Sequence, residues 1–168
     1  MRLFIGLWPS EGMKKDIISV MHEMKKQGTL GSYTPASNLH LTLAFLGEVQ
    51  DVNAVKEVLS SLPPEKSRLT FGEYGGNQDV FWITLKANQK LKKYVADLRK
   101  ALSDKGIPVD TKKFEPHITL LRRPKGKLPK GLPLPVPSSE MTVSKVSLLK
   151  SEVKDGKRIY KEIYSVSV

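Results

Sequence analysis

The sequence predicts an α+β fold with antiparallel sheets. Three stretches carry apolar residues at helical spacing, and shorter apolar runs between them have strand character. Adjacent strands are often joined by short turns, which favours antiparallel pairing. With 168 residues, the chain is long enough for one domain, or two small fused lobes, with a real core.

The first half of the chain opens with a buried strand and carries two of the helices. The expected elements are a strand over 2–8, a helix from Ser10 to Gly28, a short strand over 33–35, a strand over 39–46, a turn over 47–50 and a helix between Asp51 and Pro63. Ser10 and Asp51 are residue types that cap helix N-termini, whereas Gly28 and Pro63 end helices. The inward faces comprise Met13, Ile17, Val20, Met21 and Met24, then Val52, Val55, Val58, Leu59 and Leu62. His22 lies off the first of these faces, and we expect it at the surface.

The second half begins with two strands and contains the third helix. The expected elements are strands over 67–73 and 80–86 around a turn-rich loop at 75–79, a helix over 89–104, a strand over 116–121, a basic surface loop over 123–137, and strands over 141–153 and 158–167. Asp155-Gly156 is a strong signal for a hairpin between the last two strands. The third helix has an inward face of Leu91, Tyr94, Val95, Leu98 and Leu102, and a solvated side of Lys92, Lys93, Arg99 and Lys100.

The composition is basic and free of cysteine. Without cysteine there is no disulfide, no thiolate metal site and no cysteine nucleophile. The 28 Lys and Arg residues exceed the 17 acidic ones, and the net charge of +11 favours a polyanionic partner, nucleic acid first. Part of this charge clusters at Lys112, Lys113, Arg122, Arg123, Lys125, Lys127 and Lys130. The N-terminal apolar run is too short for a signal peptide and no run approaches a membrane span, so we expect a cytoplasmic protein without a membrane partner.

Two strands carry the same short pattern, a histidine and a threonine two residues apart. The pattern occurs as His40-Leu41-Thr42 and again as His117-Ile118-Thr119. Because residues i and i+2 of a strand share a face, each strand offers one imidazole and one hydroxyl on the same side. Two such strands facing one cleft would place two imidazoles and two hydroxyls around one small anion. Two of only three histidines lie in these matching contexts, which favours catalysis over coincidence.

Paired imidazoles in one cleft suit general acid-base chemistry, since one can be neutral while the other is protonated. The reaction that most needs this pairing is cleavage of a phosphodiester without metal. The hydroxyls of Thr42 and Thr119 can bind the non-bridging phosphate oxygens. A zinc site is the poorer alternative, because two histidines, even with Glu48 and Glu115 nearby, make an incomplete ligand set. No G-x-S-x-G motif supports a serine-type triad.

At these residues the chain resembles the 2H phosphoesterase superfamily, whose members carry two H-x-[ST] motifs flanked by apolar residues. Within it, the sequence is most similar to bacterial and archaeal RNA 2′,3′-cyclic phosphodiesterases, also called 2′-5′ RNA ligases. The resemblance spans nearly the full length and is carried by residues 2–5, 38–47, 81–82 and 114–122. It implies a single two-lobed domain over 1–168, with an antiparallel sheet in each lobe, outer helices and a central cleft.

The resemblance also implies roles for the site residues. His40 would donate a proton to the leaving 3′ oxygen and His117 would activate water, giving a 2′-phosphate with no metal or cofactor. Arg122 matches a family arginine near the phosphate. Strict alternation, however, places Arg122 on the face opposite His117, so it reaches the cleft only if the strand ends or bends near Leu121.

The implied partners are RNA with 2′,3′-cyclic phosphate ends or cyclic nucleotides, and we expect a monomer. Hydrolysis is the expected reaction, and two alternatives stay open: 2′-5′ ligation of tRNA halves, and an RNA- or nucleotide-binding module without turnover. Family members often stack a base on an aromatic ring; Phe45, Trp82 and Phe114 are candidates, although each also suits the core. The Pro-rich basic segment 123–137 matches no family signature.

Overall fold

The computed structural model describes residues 1–168 as nine strands and three α-helices. The strands are β1 (Arg2–Leu7), β2 (Thr29–Tyr33), β3 (Leu41–Glu48), β4 (Ser67–Gly76), β5 (Val80–Ala87), β6 (His117–Gly126), β7 (Glu140–Val143), β8 (Lys145–Lys154) and β9 (Lys157–Ser167). The helices are α1 (Glu11–Lys26), α2 (Val52–Ser61) and α3 (Gln89–Asp104), and a 3-10 turn over Ala36–Asn38 precedes β3. None of the helices has the length and apolarity that a membrane crossing requires.

The strands form two antiparallel sheets, which confirms the predicted fold class. The first sheet has the order β3-β1-β8-β9 and the second the order β2-β6-β5-β4-β7. Helix α1 packs on the second sheet, α2 contacts β9 of the first, and α3 contacts α2, β3 and β5. Since each sheet combines strands from both halves of the chain, the lobes are not its N- and C-terminal halves.

One continuous core joins the sheets and helices. It contains 33 buried residues, among them the inward residues predicted for α1 and most of those predicted for α2 and α3. The predicted caps are also confirmed: the Ser10 side chain accepts from the Met13 amide at 3.2 Å, and Asp51 accepts from the Ala54 amide at 3.1 Å. His22 is exposed, as expected.

Two strand predictions in the second sheet are wrong in their bounds. The short strand lies at Thr29–Tyr33 rather than at 33–35, because residues 29–33 pair with β6. The second motif strand continues to Gly126, so the first residues of the predicted basic loop belong to the sheet. Pairing with β2 and β5 therefore extends β6 well beyond the apolar run that predicted it.

The C-terminal part of the chain differs from prediction in one respect. The predicted strand over 141–153 is two strands, because the chain leaves the second sheet after β7 and joins the first as β8. The predicted hairpin between β8 and β9 is confirmed. Asp155 and Gly156 both have positive φ, 52° and 75°, as a type I′ turn requires.

Candidate active site

The first motif lies where the chain enters β3. His40 immediately precedes the strand, and its Nδ1 donates to the backbone oxygen of Asn38 at 2.7 Å. Its Nε2 lies 3.0 Å from Thr42 Oγ1, so the two side chains share one side of the strand. Because a hydrogen bond to a carbonyl places the proton of the neutral ring on Nδ1, Nε2 is the nitrogen left for chemistry.

The second motif repeats this arrangement at the start of β6. His117 Nδ1 donates to the backbone oxygen of Glu115 at 2.7 Å, again two residues earlier in the chain. Its Nε2 is therefore the nitrogen left for chemistry, as in His40, and the His117 side chain is exposed. Thr119 is half-buried, and its hydroxyl has no hydrogen-bond partner within the protein. The two motifs thus present equivalent nitrogen atoms by the same local bond.

Two aromatic rings enclose His40. The centroids of Phe4 and Tyr160 lie 4.9 and 5.0 Å from that of the imidazole, and Phe4 itself is buried. Burial lowers the pKa of His40; the hydrogen bond to Asn38 opposes this shift, and positive charge on His117 and Arg122 lowers the pKa further. His40 is therefore neutral over more of the pH range than a free imidazole.

The two motif strands approach each other across the two sheets, and the space between their histidines is called the groove. Strands β3 and β6 belong to different sheets, yet their Cα atoms approach within 8 Å. Positive charge on His117 and on Arg122 lowers the pKa of His40, so each of these two side chains lies within electrostatic range of His40. The side chains of His117 and Arg122 therefore lie near His40.

A β-bulge follows the threonine in each motif strand. In β3 the pairing with β1 skips Leu43, and in β6 the pairing with β5 skips Leu120. The bulge pairs, Leu43 with Ala44 and Leu120 with Leu121, are fully buried on the core side. Two consecutive inward residues reverse the alternation, so the next residue in each strand returns to the face of the histidine.

Arg122 is the residue that the β6 bulge re-aims. Without the bulge it would share the face of Ile118, which is buried; with the bulge it lies on the face of His117 and Thr119. This is the bend near Leu121 that the sequence left open. The Arg122 side chain is exposed and takes part in no ion pair, so its charge is available to an anion in the groove.

Each bulge is held by a side chain from a neighbouring element. Arg99 of α3 donates from Nε and Nη2 to the carbonyl of Leu43, at 3.0 and 2.9 Å. Thr34 donates from its amide to the carbonyl of Leu120 at 2.9 Å and from Oγ1 to that of Thr119 at 2.8 Å. The prediction that Arg99 lies on the solvated side of its helix is therefore wrong, because its long side chain reaches back to β3.

Two of the three aromatic candidates, Trp82 and Phe45, lie outside the core. The Trp82 ring is half-buried with its centroid 5.8 Å from that of His117. Phe45 is 36% exposed and pairs with Phe4, whose ring contacts His40. Phe114 packs against the core beneath the guanidinium of Arg99. Sequence reasoning missed Phe4 and Tyr160, because nothing local in the sequence indicates which strands flank His40.

The ligand inventory of the site is limited to imidazoles, hydroxyls and one guanidinium. No group of three or more His, Cys, Asp or Glu side chains that could hold a metal ion occurs in the structure. Glu48, considered above as a further zinc ligand, pairs instead with the N-terminal amine at 3.3 Å.

Comparison with known sequences gives a consistent result. A family model described as the 2′-5′ RNA ligase superfamily matches residues 16–155. RNA 2′,3′-cyclic phosphodiesterase of Thermotoga maritima is 33% identical over 132 residues, which make up 73% of this chain and 70% of that protein. The protein of the same name from Methanocaldococcus jannaschii is 30% identical over 127 residues, covering 73% of this chain and 71% of its own length.

Solved structures with the same architecture include Escherichia coli LigT. The complex of LigT with 3′-AMP superposes with a TM-score of 0.84 at 26% identity, over 99% of this chain and 97% of that one. A crystal structure described only as a phosphoesterase superposes with a TM-score of 0.85 at 25% identity, over the same shares of the two chains.

Proposed function

The chain belongs to the 2′-5′ RNA ligase superfamily, and from that membership and the paired motifs we propose that it hydrolyses RNA or nucleoside 2′,3′-cyclic phosphates to 2′-phosphates. The observation that carries the proposal is the repeated bond from Nδ1 to a backbone carbonyl in His40 and His117. It leaves the Nε2 atom of each ring for proton transfer, one as a base and one as an acid, with His40 Nε2 bonded to Thr42 Oγ1 in the free protein. The relatives named RNA 2′,3′-cyclic phosphodiesterase supply the class of substrate.

The proposed reaction is an in-line displacement at phosphorus. His117 Nε2 takes a proton from water as the water oxygen bonds to phosphorus. The bond from phosphorus to the 3′ oxygen breaks, and His40, protonated on Nε2, gives its proton to that oxygen. The product carries a 2′-phosphate, and the two histidines end with their protonation states exchanged.

The remaining groups hold the phosphate. The hydroxyls of Thr42 and Thr119 donate to its non-bridging oxygens, and the guanidinium of Arg122 offsets the charge that develops there. In the free protein, Thr42 Oγ1 is bonded to His40 Nε2 at 3.0 Å, so its hydroxyl is already placed beside the acid. No step needs a metal ion.

The pH dependence follows from the environment of His40. Burial lowers its pKa in the free protein, so the acid form is lost as pH rises through this lowered value. A phosphate anion in the groove favours the imidazolium and raises the same pKa in the complex. The alkaline limb of kcat/KM should therefore lie at lower pH than the alkaline limb of kcat.

Ligation would use the same groups. A 5′-hydroxyl in the place of water would give a 2′-5′ linkage, with His117 taking the proton from that hydroxyl and His40 protonating the 3′ oxygen. Assays with tRNA halves and with a cyclic mononucleotide distinguish ligation from hydrolysis by the products that form.

The test is turnover of cytidine 2′,3′-cyclic monophosphate in the presence of EDTA, followed by separation of the 2′- and 3′-phosphates. We expect the 2′-phosphate alone, and loss of turnover in His40→Ala and His117→Ala. His22→Ala is the matched control and should keep the full rate, since His22 is exposed on α1. Full activity in either motif variant would contradict the two-histidine mechanism, and loss of activity in EDTA would contradict its independence of metal. Nucleotide binding without turnover at any pH would indicate a binding module instead.

A further inference from the structure

A strip of cationic side chains leaves the site along β6. It starts at Arg122, beside the paired motifs, and continues towards the C-terminal end of the strand with Arg123 and Lys125. At the rise of a β-strand, Thr119 to Lys125 spans roughly 20 Å. Three cations over that distance extend beyond the reach of one nucleotide bound at the two histidines.

A second bulge in β6 aims Arg123 onto the face of the groove. The pairing of β6 with β2 shifts between Leu30 and Ser32, and Arg123 has a φ of 52°. Its Nη2 donates to Ser32 Oγ at 2.8 Å, and Ser32 is paired with Arg122. Because directly paired residues share a face, Arg122, Ser32 and the guanidinium of Arg123 lie together on the side that carries His117.

The left-handed backbone at Arg123 is unusual for a residue of this size. The other non-glycine residue with positive φ is Asp155, in a hairpin turn that requires it. Arg123 is held by its amide, which donates to the carbonyl of Asp79 at 2.8 Å. The close approach of the Arg123 backbone to β2 also requires a glycine at position 31, because a Cβ there would lie 2.8 Å from the Arg123 carbonyl oxygen. Bulges of this kind are frequent beside active sites, where they re-aim a side chain.

Lys125 continues the strip on the same face. It pairs with Leu30, which alternates with Ser32 in β2, whereas Thr29 and Tyr33 lie towards the core. Leu30 is 59% exposed and gives the strip an apolar surface beside the cations. None of the three cations takes part in an ion pair, so their charges are not neutralised within the protein.

We propose that this basic strip (Arg122, Arg123 and Lys125, with Ser32 and Leu30) binds the RNA strand upstream of the cyclic end. The proposal rests on the proposed function and names its substrate as RNA of three or more nucleotides. Arg122 serves the cyclic phosphate, Arg123 and Ser32 bind the next phosphate on the 5′ side, and Lys125 binds the one after it. Leu30 contacts the base between them.

The test compares two substrates on the same enzyme: cytidine 2′,3′-cyclic monophosphate, and a tetranucleotide with the same cyclic end. We expect the wild type to favour the tetranucleotide. The ratio of the two kcat/KM values should fall about tenfold or more in Arg123→Gln, because a charge-assisted bond to phosphate is lost, and several-fold in Lys125→Gln. Each variant should also make the slope of log(kcat/KM) against log[salt] shallower by about 0.7 for the tetranucleotide.

Lys92→Gln on α3 is the matched control, since it removes one exposed charge that forms no ion pair and does not belong to β6. If the left-handed backbone at position 123 prevents Arg123→Gln from folding, Lys125→Gln still tests the strip, because it does not alter that position. A ratio unchanged in both variants, or a wild type that does not favour the tetranucleotide, would overturn the proposal. An enzyme that hydrolyses neither substrate would instead overturn the proposed function.

Discussion

Replacing Thr119 by valine separates catalysis from folding more cleanly than any other change at the site. Valine keeps the branched shape and the preference of the residue for a strand. The Thr119 hydroxyl has no hydrogen-bond partner within the protein, whereas its backbone oxygen accepts from Thr34 Oγ1 at 2.8 Å and is unaffected. The substitution therefore removes one donor from the groove and leaves the strand and its bulge in place.

The expected effects on rate and stability are very different in size. If the hydroxyl is one of the preorganised donors to the phosphate, its loss should lower kcat about 100-fold or more, equivalent to about 2.7 kcal/mol in the transition state. Loss of a partly exposed hydroxyl without a partner should change the free energy of unfolding by less than about 0.5 kcal/mol. The account requires a large loss of rate with an unchanged fold.

The assay is steady-state hydrolysis of a cyclic mononucleotide together with urea denaturation of the same preparation. Thr142→Val on β7 is the matched control, since Thr142 is exposed in a strand at the far edge of the second sheet. Thr42→Val should differ from Thr119→Val because it also removes the hydrogen bond to His40 Nε2. A Thr119→Val enzyme with the wild-type kcat would refute the reasoning, and so would one that loses several kcal/mol of stability.

Two further predictions concern the surroundings of the site. Arg99→Met leaves the Leu43 carbonyl at the β3 bulge without its donors, so we expect the free energy of unfolding to fall by about 1–3 kcal/mol and kcat to fall with it. Lys100→Met is the control. An Arg99→Met protein with the urea midpoint of the wild type would contradict this prediction. For His40, burial lowers the pKa in the folded state below its ordinary value near 6.5, so at acidic pH the unfolded chain binds more protons than the folded one. The stabilisation that comes from a neutral His40 is therefore complete above pH 6.5, and it is lost as the pH falls through the pKa of His40 in the folded protein. His40→Gln should flatten the fall in unfolding free energy between pH 7 and 5, and an identical slope in both proteins would count against it.

The sequence predicts which side chains share a face of a strand better than it predicts where the strands begin and end. In each His-x-Thr motif the histidine and the threonine are two residues apart, so alternation alone predicts that their side chains share a face of the strand. The face of β6 on which Arg122 lies could not be predicted, because the two consecutive leucines after Thr119 are compatible both with a regular alternating strand and with a β-bulge. Only the pairing with β5 decides between them.

Long-range strand pairing explains the other differences between the elements that the sequence predicts and those in the structure. The segment 29–33 contains two polar residues and a glycine, so nothing local distinguishes it from loop, and its strand exists because β6 provides a partner. The same pairing turns Arg123 and Lys125, which composition assigns to a basic loop, into strand residues. Tyr160 lies 120 positions after His40 in the chain and Phe4 lies 36 positions before it, so no local pattern indicates that these two rings enclose His40.

In the proposed mechanism the imidazoles of His40 and His117 act on one phosphorus centre. A crystal structure with a bound nucleoside 2′-phosphate tests this most directly. We expect the Nε2 atoms of both histidines to lie within about 3.2 Å of oxygen atoms on the same phosphate. A phosphate bound to one imidazole, with the other imidazole out of reach, would contradict it.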